Sequence, residues 1–356
     1  MRYWVGGATG FLGSHLVKRL LEGGHEVVGV ARGGGAVSGV RVESLDVLDA
    51  DAVRRTASGV DGAFLATGKV SRDAGDAEEM HRANVFGTRS ALAGLRLAGV
   101  PRVVYASTSG TIAIATEPDI LDETAPAPLE HLARWPYYRS KYYAELDALE
   151  SNGEGGLEVV VVNPSLLLGP GDLRGSSTTD VRRFLDGEVL AAPRGGVAVV
   201  DVRDVAGAMV AALERGRPGE RYLLNGANLT VPAFLDRLSR ISGVSAPAAR
   251  LPRSRGLAVE ATRLFGKAVK AVGGELPMSV ESVEMAQYYW YCDSGKAMRE
   301  LGFSPRDLGD TLRDTISDLI ARGVAHPRVH RDEESTGGRA FTARRLSRLL
   351  GESEAE

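Results

Sequence analysis

The chain has 356 residues, 44% of them apolar and 25% charged, with a formal net charge of −3 at pH 7. This composition is ordinary for a globular protein, and the charge argues against nucleic acid or an anionic membrane as the main partner. The single cysteine, Cys292, excludes an internal disulfide framework and a cysteine-based metal cluster, and it fits a reducing compartment.

No apolar run is long enough to span a bilayer, so we expect no membrane span. The first predicted strand begins at about Arg2, which leaves no room for a signal peptide. We therefore expect a cytoplasmic protein. The six histidines show no paired metal spacing, and no metal is expected.

The first predicted elements are a short strand, a glycine turn and a helix. Gly7, Gly10 and Gly13 are spaced three apart, between an apolar run that ends at Val5 and apolar residues at helical spacing from Leu16 onwards. Glycines at these positions permit a tight turn and close approach of the backbone to a pyrophosphate. The amides of the first helical turn then bind the phosphate charge. The alternative is a glycine-rich turn without a ligand.

Strands and helices alternate through the first half of the chain. Further strands are predicted at about 26–31, 40–45, 61–67, 102–106 and 157–163, and helices at about 49–58, 77–99 and 137–150. This alternation predicts an α/β protein with a doubly wound parallel sheet. Thr67, Thr108 and Pro164 lie at the carboxyl ends of strands, where such sheets bind ligands, so we expect them in one cleft.

Tyr137 and Lys141 lie four residues apart at the start of a predicted helix, which places both side chains on one face. An ammonium near a phenol favours its ionised form, and this suits proton transfer to a carbonyl or from an alcohol. The alternative is a surface lysine and a half-buried tyrosine on an amphipathic helix.

Taken in order, these motifs resemble the extended short-chain dehydrogenase/reductases over about residues 2–322. The resemblance continues at residues 84–88, 163–165, 169–170, 201–206, 294–296 and 301–303. Within that group the chain is most similar to dihydroflavonol-4-reductase-like proteins and hopanoid-associated sugar epimerases, through residues 105–111, 162–165 and 219–224. The resemblance implies a Rossmann-type fold with a smaller C-terminal substrate-binding lobe.

The resemblance also implies roles for individual residues. Tyr137 would be the proton donor or acceptor, and Lys141 would hold the nicotinamide ribose and lower the pKa of the tyrosine. Thr108 would hydrogen-bond the substrate oxygen, with Ser107 as the alternative one residue earlier. The implied cofactor-binding residues are Gly7, Gly10, Phe11, Leu12, Gly13, Arg32, Asp46, Val47, Leu65, Ala66, Thr67, Asn84, Ser107, Tyr137, Lys141, Pro164 and Ser165. For Asn84, a hydrogen bond to the backbone within the helix is the alternative.

The residue after the second strand bears on the choice of cofactor. NAD sites usually have an acidic residue there, which binds the ribose 2′-hydroxyl. Here that residue is Arg32, and no carboxylate occurs before Glu43. Because a guanidinium matches a 2′-phosphate, we expect NADP(H), with NAD(H) as the alternative. A solvated loop arginine is the other interpretation of Arg32.

The domain boundaries follow from these motifs. Residues 1–170 are predicted to form the NAD(P)-binding domain, to which 197–215 return, and 171–324 to form mainly the substrate-binding lobe. The segments expected in this lobe are 172–188, 223–229 and 251–278. Trp135 is predicted to face the substrate or to pack, and the aromatic residues 288–291 to form lobe core. Residues 325–356 form a polar tail, with a possible basic helix at 341–350.

Three functions are compatible with these residues. The leading one is an NADPH-dependent reductase of a ketone or aldehyde on a small organic substrate. The second is an NAD-dependent epimerase or dehydratase acting on a sugar or sugar nucleotide, although 192–196 replace the glycine-rich segment typical of nucleotide-sugar enzymes. The third is a dinucleotide-sensing protein without turnover. The resemblance also implies a homodimer through the helices at 77–99 and 137–150.

Overall fold

A computed structural model describes residues 1–252, 254–271 and 279–328 of the chain, and the side chains of all of these except 265–271. The predicted basic helix at 341–350 and the last part of the predicted lobe segment 251–278 lie outside the described residues. In the part that the structure describes, no helix is both long and apolar enough to cross a membrane.

Eleven strands and thirteen α-helices are found in the described ranges. The strands are β1 (Arg2–Gly6), β2 (Glu26–Ala31), β3 (Gly35–Val37), β4 (Val40–Ser44), β5 (Gly62–Leu65), β6 (Arg102–Ala106), β7 (Glu158–Pro164), β8 (Leu166–Leu168), β9 (Gly196–Asp201), β10 (Arg221–Leu224) and β11 (Ala227–Thr230). The helices are α1 (Phe11–Glu22), α2 (Ala50–Thr56), α3 (Ala77–His81), α4 (Gly87–Leu97), α5 (Leu129–Arg134), α6 (Pro136–Glu150), α7 (Thr179–Leu185), α8 (Val202–Arg215), α9 (Val231–Ser242), α10 (Arg255–Ala271), α11 (Val280–Met285), α12 (Gly295–Leu301) and α13 (Leu308–Ala321).

The main sheet has eight strands in the order β10-β7-β6-β5-β1-β2-β4-β3. Every pairing in it is parallel except that of β3 with β4. The predicted Rossmann-type, doubly wound α/β sheet is therefore confirmed. The strand order reverses at β1, because β2 lies on one side of it and β5 on the other. The connections that leave in opposite directions there open a crevice at the carboxyl ends of the strands.

Helices cover both faces of this sheet. α1, α8 and α12 pack on one face, and α2, α4 and α6 pack on the other. In α1 the buried residues Leu16, Val17 and Leu20 recur at helical spacing. The helix ends before Gly24, whose φ of +74° favours glycine. Because both faces are buried, the strands are continuously apolar rather than alternating.

Two local features differ from the sequence predictions. Gly35 begins β3, a strand that was not predicted, and the chain turns back into β4 through Gly39, whose φ is +84°. The helix predicted at 77–99 is interrupted by a π-helical turn at Arg82–Phe86. Such turns often occur at functional sites, and this one contains Asn84.

A smaller sheet, in the order β11-β9-β8, lies beside the main one. It packs with α7, α9 and α13 around a separate apolar core that includes Phe184, Leu238 and Ile316. β10 pairs with β7 in the main sheet, so the predicted lobe segment 223–229 is divided between the two sheets. The domain boundaries themselves stay a prediction.

Candidate active site

A cleft of about 1000 Å³ lies at the carboxyl ends of the central strands of the main sheet. It brings together residues that the sequence places far apart. The predicted site residues that line it are Gly10, Phe11, Leu12, Arg32, Ala66, Thr67, Ser107, Tyr137, Lys141 and Pro164. The cleft is large enough for a dinucleotide, since ligand sites of this kind span roughly 300–1,000 Å³.

The glycine turn has no room for side chains. Gly7 has a φ of +79°, and a Cβ there would lie 2.6 Å from the carbonyl oxygen of Ala66. A Cβ at Gly13 would lie 2.0 Å from the carbonyl oxygen of Gly7. Both glycines therefore shape the turn from behind the cleft surface. Close packing of strand, turn and helix requires glycine at these two positions.

The N-terminus of α1 is open to the cleft. Its N-cap is Gly10, which has no side chain that could cap the helix, and its first turn contains no acidic residue. The first-turn amides of a helix lack intrahelical partners, and the helix dipole adds positive potential there. This end of α1 can therefore bind an anion such as a pyrophosphate, and the residues present fit a dinucleotide.

Arg32 and Thr67 add two further polar groups to the cleft. Arg32 is exposed just after β2, and it makes no ion pair within the described residues. The Thr67 hydroxyl oxygen is buried and has no hydrogen-bond partner in the described part of the chain. A buried hydroxyl without a partner is costly, so a ligand that bonds to Thr67 would be stabilised.

Several predicted cofactor residues do not line the cleft surface. Asn84 is buried, and its side-chain oxygen accepts a hydrogen bond from the backbone N–H of Lys69 at 2.7 Å. Its side-chain nitrogen donates to the carbonyl oxygen of Lys69 at 3.0 Å and to the Ser140 hydroxyl at 2.8 Å. It therefore fixes the loop that follows β5. The others that do not line the cleft are Gly7, Gly13, Asp46, Val47, Leu65 and Ser165, and of these Ser165 lines the second cavity described below.

Lys141 is oriented differently from the prediction. Its Nζ donates to the Tyr105 hydroxyl and to the carbonyl oxygen of Ala106, each at 2.7 Å, rather than to Tyr137. Burial lowers the pKa of Lys141 to about 7, and the negative charge of Glu145 opposes that change. Burial raises the pKa of Tyr137, and the charge of Tyr138 raises it further. The predicted lowering of the Tyr137 pKa is not found, because the ammonium is directed towards β6.

The structure separates the two hydroxyls at the end of β6. Ser107 is buried, and its hydroxyl donates to the carboxylate of Glu145. Thr108 is half-buried, and its oxygen accepts from the Gly110 amide at 3.4 Å, which leaves the hydroxyl proton available to a substrate. The geometry thus favours Thr108 over Ser107 as the residue that contacts a substrate oxygen.

A second cavity, of about 310 Å³, adjoins the first. Tyr137, Ser107 and Pro164 line both spaces, and Thr108 and Ser165 line the second. Most of its wall is aromatic or aliphatic, including Trp135, Tyr138, Phe234, Leu235, Met285 and Trp290. Trp135 is 4% exposed and packs on Tyr288 and Trp290, so it both lines the cavity and belongs to a packed aromatic cluster.

Three features of the site were missed by the sequence analysis. Tyr105 receives the Lys141 hydrogen bond, and Glu145 receives that of Ser107. Arg72 forms a two-fold hydrogen bond with Asp180, at 2.9 and 2.7 Å, across the second cavity. The four-residue spacing of Tyr137, Lys141 and Glu145 was a visible signal for Glu145. No local pattern links Arg72 with Asp180.

Comparisons with known proteins agree with this geometry. The model of the NAD dependent epimerase/dehydratase family matches residues 3–224. A protein from Synechocystis sp. named as a dihydroflavonol 4-reductase is 31% identical, over 88% of this chain and 93% of its own. Sterol demethylase protein B from Methylococcus capsulatus is 30% identical, over 90% of this chain and 98% of its own. The crystal structure of gox2253 superposes with a TM-score of 0.78 at 30% identity, over 91% of this chain and 99% of that one.

Proposed function

Because the chain belongs to the NAD-dependent epimerase/dehydratase family and is an NAD(P)-dependent oxidoreductase of the extended short-chain type, we propose that it reduces a ketone or aldehyde with NADPH. One observation carries this proposal. Tyr137 lies where the large cleft meets the smaller, more apolar cavity, and it lines both. A proton donor at that junction can reach a carbonyl held between a dinucleotide and an apolar pocket.

NADPH, when bound in the cleft, supplies the hydride for the carbonyl carbon. The remaining chemistry belongs to the chain. Thr108 donates a hydrogen bond to the carbonyl oxygen, and Tyr137 gives its proton to the same oxygen. A phenol with an ordinary pKa is already protonated at neutral pH, and burial raises the pKa of Tyr137, so this residue enters the step as the protonated phenol. Lys141 lies one helical turn further along α6 and lines the same cleft, so its ammonium places a positive charge near the reaction site.

The second cavity supports an apolar substrate. Aromatic side chains such as Trp290 and Tyr138 offer flat faces that stack on a ring. Polar side chains such as Arg72 and Asp180 also line this space, but apolar side chains form most of its wall, which favours an apolar substrate body over the many hydroxyls of a sugar. Two relatives with names that refer to a dihydroflavonol and a sterol agree with an apolar substrate body. The epimerase or dehydratase hypothesis remains the second candidate, because the family model includes both activities.

A paired assay tests the proposal. The purified protein is incubated with NADPH and a panel of aromatic aldehydes and ketones, and separately with UDP-glucose. We expect loss of NADPH absorbance, in proportion to alcohol formed, with members of the carbonyl panel. Conversion of UDP-glucose to an isomer without net use of NADPH, together with no reaction on the panel, would overturn it in favour of an epimerase.

Arg32 is proposed to set the preference for NADPH. Its guanidinium would pair with the 2′-phosphate, a charge-assisted contact of about 1.5–3 kcal/mol. The variant Arg32→Ala should therefore weaken NADPH binding by roughly 10- to 100-fold and leave NADH binding nearly unchanged. Fluorescence titration of both cofactors measures this. Equal losses of affinity for NADPH and NADH would show that Arg32 does not recognise the 2′-phosphate.

We also propose that the protein is a cytoplasmic homodimer. Large apolar side chains are exposed on the outer faces of α4 and α6 and on the turn before α4. These are Phe86, Leu97, Tyr143 and Leu146. Several exposed apolar side chains on neighbouring helices are compatible with a protein interface and support the pairing expected from the family resemblance.

A further inference from the structure

Glu145 is buried, although carboxylates are rarely found inside proteins, and both of its carboxylate oxygens have partners. It is 1% exposed. One carboxylate oxygen accepts from the Ser107 hydroxyl, from the Thr111 hydroxyl at 2.8 Å and from the Asn163 amide at 2.7 Å. The other oxygen pairs with the Arg221 guanidinium at 3.2 Å. A buried carboxylate is stable only when it is bonded in this way, so its position is tightly constrained.

The partners of Glu145 come from separate elements. Ser107 immediately follows β6 and precedes Thr108, and Asn163 lies in β7 and precedes Pro164. Glu145 lies one helical turn after Lys141 and two after Tyr137, on the same face of α6. A single carboxylate therefore connects the helix that carries the proton donor with the two strand ends that carry Thr108 and Pro164.

We propose that Glu145 is a positioning residue for the proposed reduction, because its carboxylate holds the ends of β6 and β7 in register with Tyr137 and Lys141 on α6. The inference rests on the proposed function. Small displacements are costly in such sites, since a misplacement of about 1 Å can lower a rate roughly 100-fold. Glu145 itself lines neither the cleft nor the second cavity, so its effect passes through Ser107, which lines both, and through Asn163.

Glu145 also acts on Lys141 through its charge. Lys141 is faced by Tyr137 and Glu145 on its own helix and by Tyr105 on β6, while Arg221 on β10 faces Glu145 from the other side. Burial lowers the pKa of Lys141, and the Glu145 charge raises it. Removing this negative charge would lower the pKa of Lys141 further. Lys141 would then lose its proton, and with it its positive charge, at a lower pH.

The variant Glu145→Gln tests the role. It keeps the size and one acceptor of the side chain, but it presents a donor amide to the donors around it. We expect kcat to fall by roughly 10- to 100-fold, with NADPH affinity within about twofold of the wild type. The alkaline limb of the pH–kcat profile should move to lower pH by about 0.5 to 1. A purely structural role would lower stability or yield without moving that limb.

Two companion variants separate geometry from charge. Glu145→Asp keeps the charge but shortens the reach, so kcat should fall while the alkaline limb stays at the wild-type pH. Ser107→Ala leaves the carboxylate and its other partners in place and removes the hydrogen bond that joins Glu145 to the end of β6, so it remains informative if Glu145→Gln does not fold. It too should lower kcat without moving the limb.

The outcomes distinguish this inference from the function on which it rests. A wild-type protein that reduces no carbonyl with NADPH would overturn the proposed function and this role with it. A wild-type protein that does reduce carbonyls, with kcat and the alkaline limb unchanged in Glu145→Gln, would overturn the positioning role alone. Unchanged kcat in Ser107→Ala would remove the link through β6.

Discussion

Replacing Tyr137 with phenylalanine is expected to lower kcat by about 100- to 10,000-fold, the range that positioned acid–base groups contribute. The change removes one hydroxyl at the junction of the cleft and the cavity. The ring remains, so the packing against Tyr138 should persist. NADPH affinity should change little. Steady-state turnover of a substrate from the carbonyl panel, with a parallel NADPH titration, measures both quantities.

Tyr143→Phe is the matched control. This tyrosine lies on the same helix, but it is 46% exposed and lines neither the cleft nor the cavity. The Tyr143→Phe variant should have the same kcat as the wild type. Unchanged turnover in Tyr137→Phe would exclude Tyr137 as the proton donor. Unchanged cellular function of that variant would support a dinucleotide sensor without catalysis.

The second large effect is expected from Gly13→Ala. The added Cβ would meet the carbonyl oxygen of Gly7 at 2.0 Å and its carbonyl carbon at 2.8 Å, so backbone atoms of the turn must move. The N–H groups of the first turn of α1 would then no longer point towards the phosphates. Loss of one or two charge-assisted hydrogen bonds costs about 2–4 kcal/mol, which is roughly 30- to 1,000-fold in the Kd for NADPH.

Gly207→Ala provides the control for this variant. Gly207 lies inside α8, and a Cβ there would meet no atom within 4 Å. Alanine in a helix interior is favoured over glycine by about 0.5–1 kcal/mol, so Tm should stay constant or rise slightly. NADPH binding should be unchanged in this variant. Gly13→Ala protein that remains folded by circular dichroism and binds NADPH as the wild type does would contradict the phosphate-binding role of the turn.

Much of the fold could be predicted because its signals are local. Continuous apolar runs mark β1, β5, β6 and β7, which are buried on both faces, and the apolar spacing after Gly10 marks α1. Parallel strands of one sheet end at one edge, so Thr67, Thr108 and Pro164 could be placed near one another from the chain order alone. The structure brings them to the two adjoining cavities.

The details that remained unpredicted depend on contacts between distant segments. Lys141 has a long flexible side chain, and only the position of Tyr105 on β6 shows which way it turns. The ion pair of Arg72 with Asp180 joins residues 108 positions apart. The apolar cavity is built from many short segments, and its wall has no sequence period. Helical spacing could have identified Glu145, but its burial depends on β6, β7 and β10.

The most direct measurement is made without any substrate. The cofactor carried by the purified protein is released and identified, and the stripped protein is titrated with NADPH and NADH. We expect an exchangeable cofactor and NADPH binding at least about tenfold tighter than NADH, a difference of about 1.4 kcal/mol. Stoichiometric NAD that survives purification and does not exchange would contradict the reductase and favour an epimerase that returns its hydride to the same molecule.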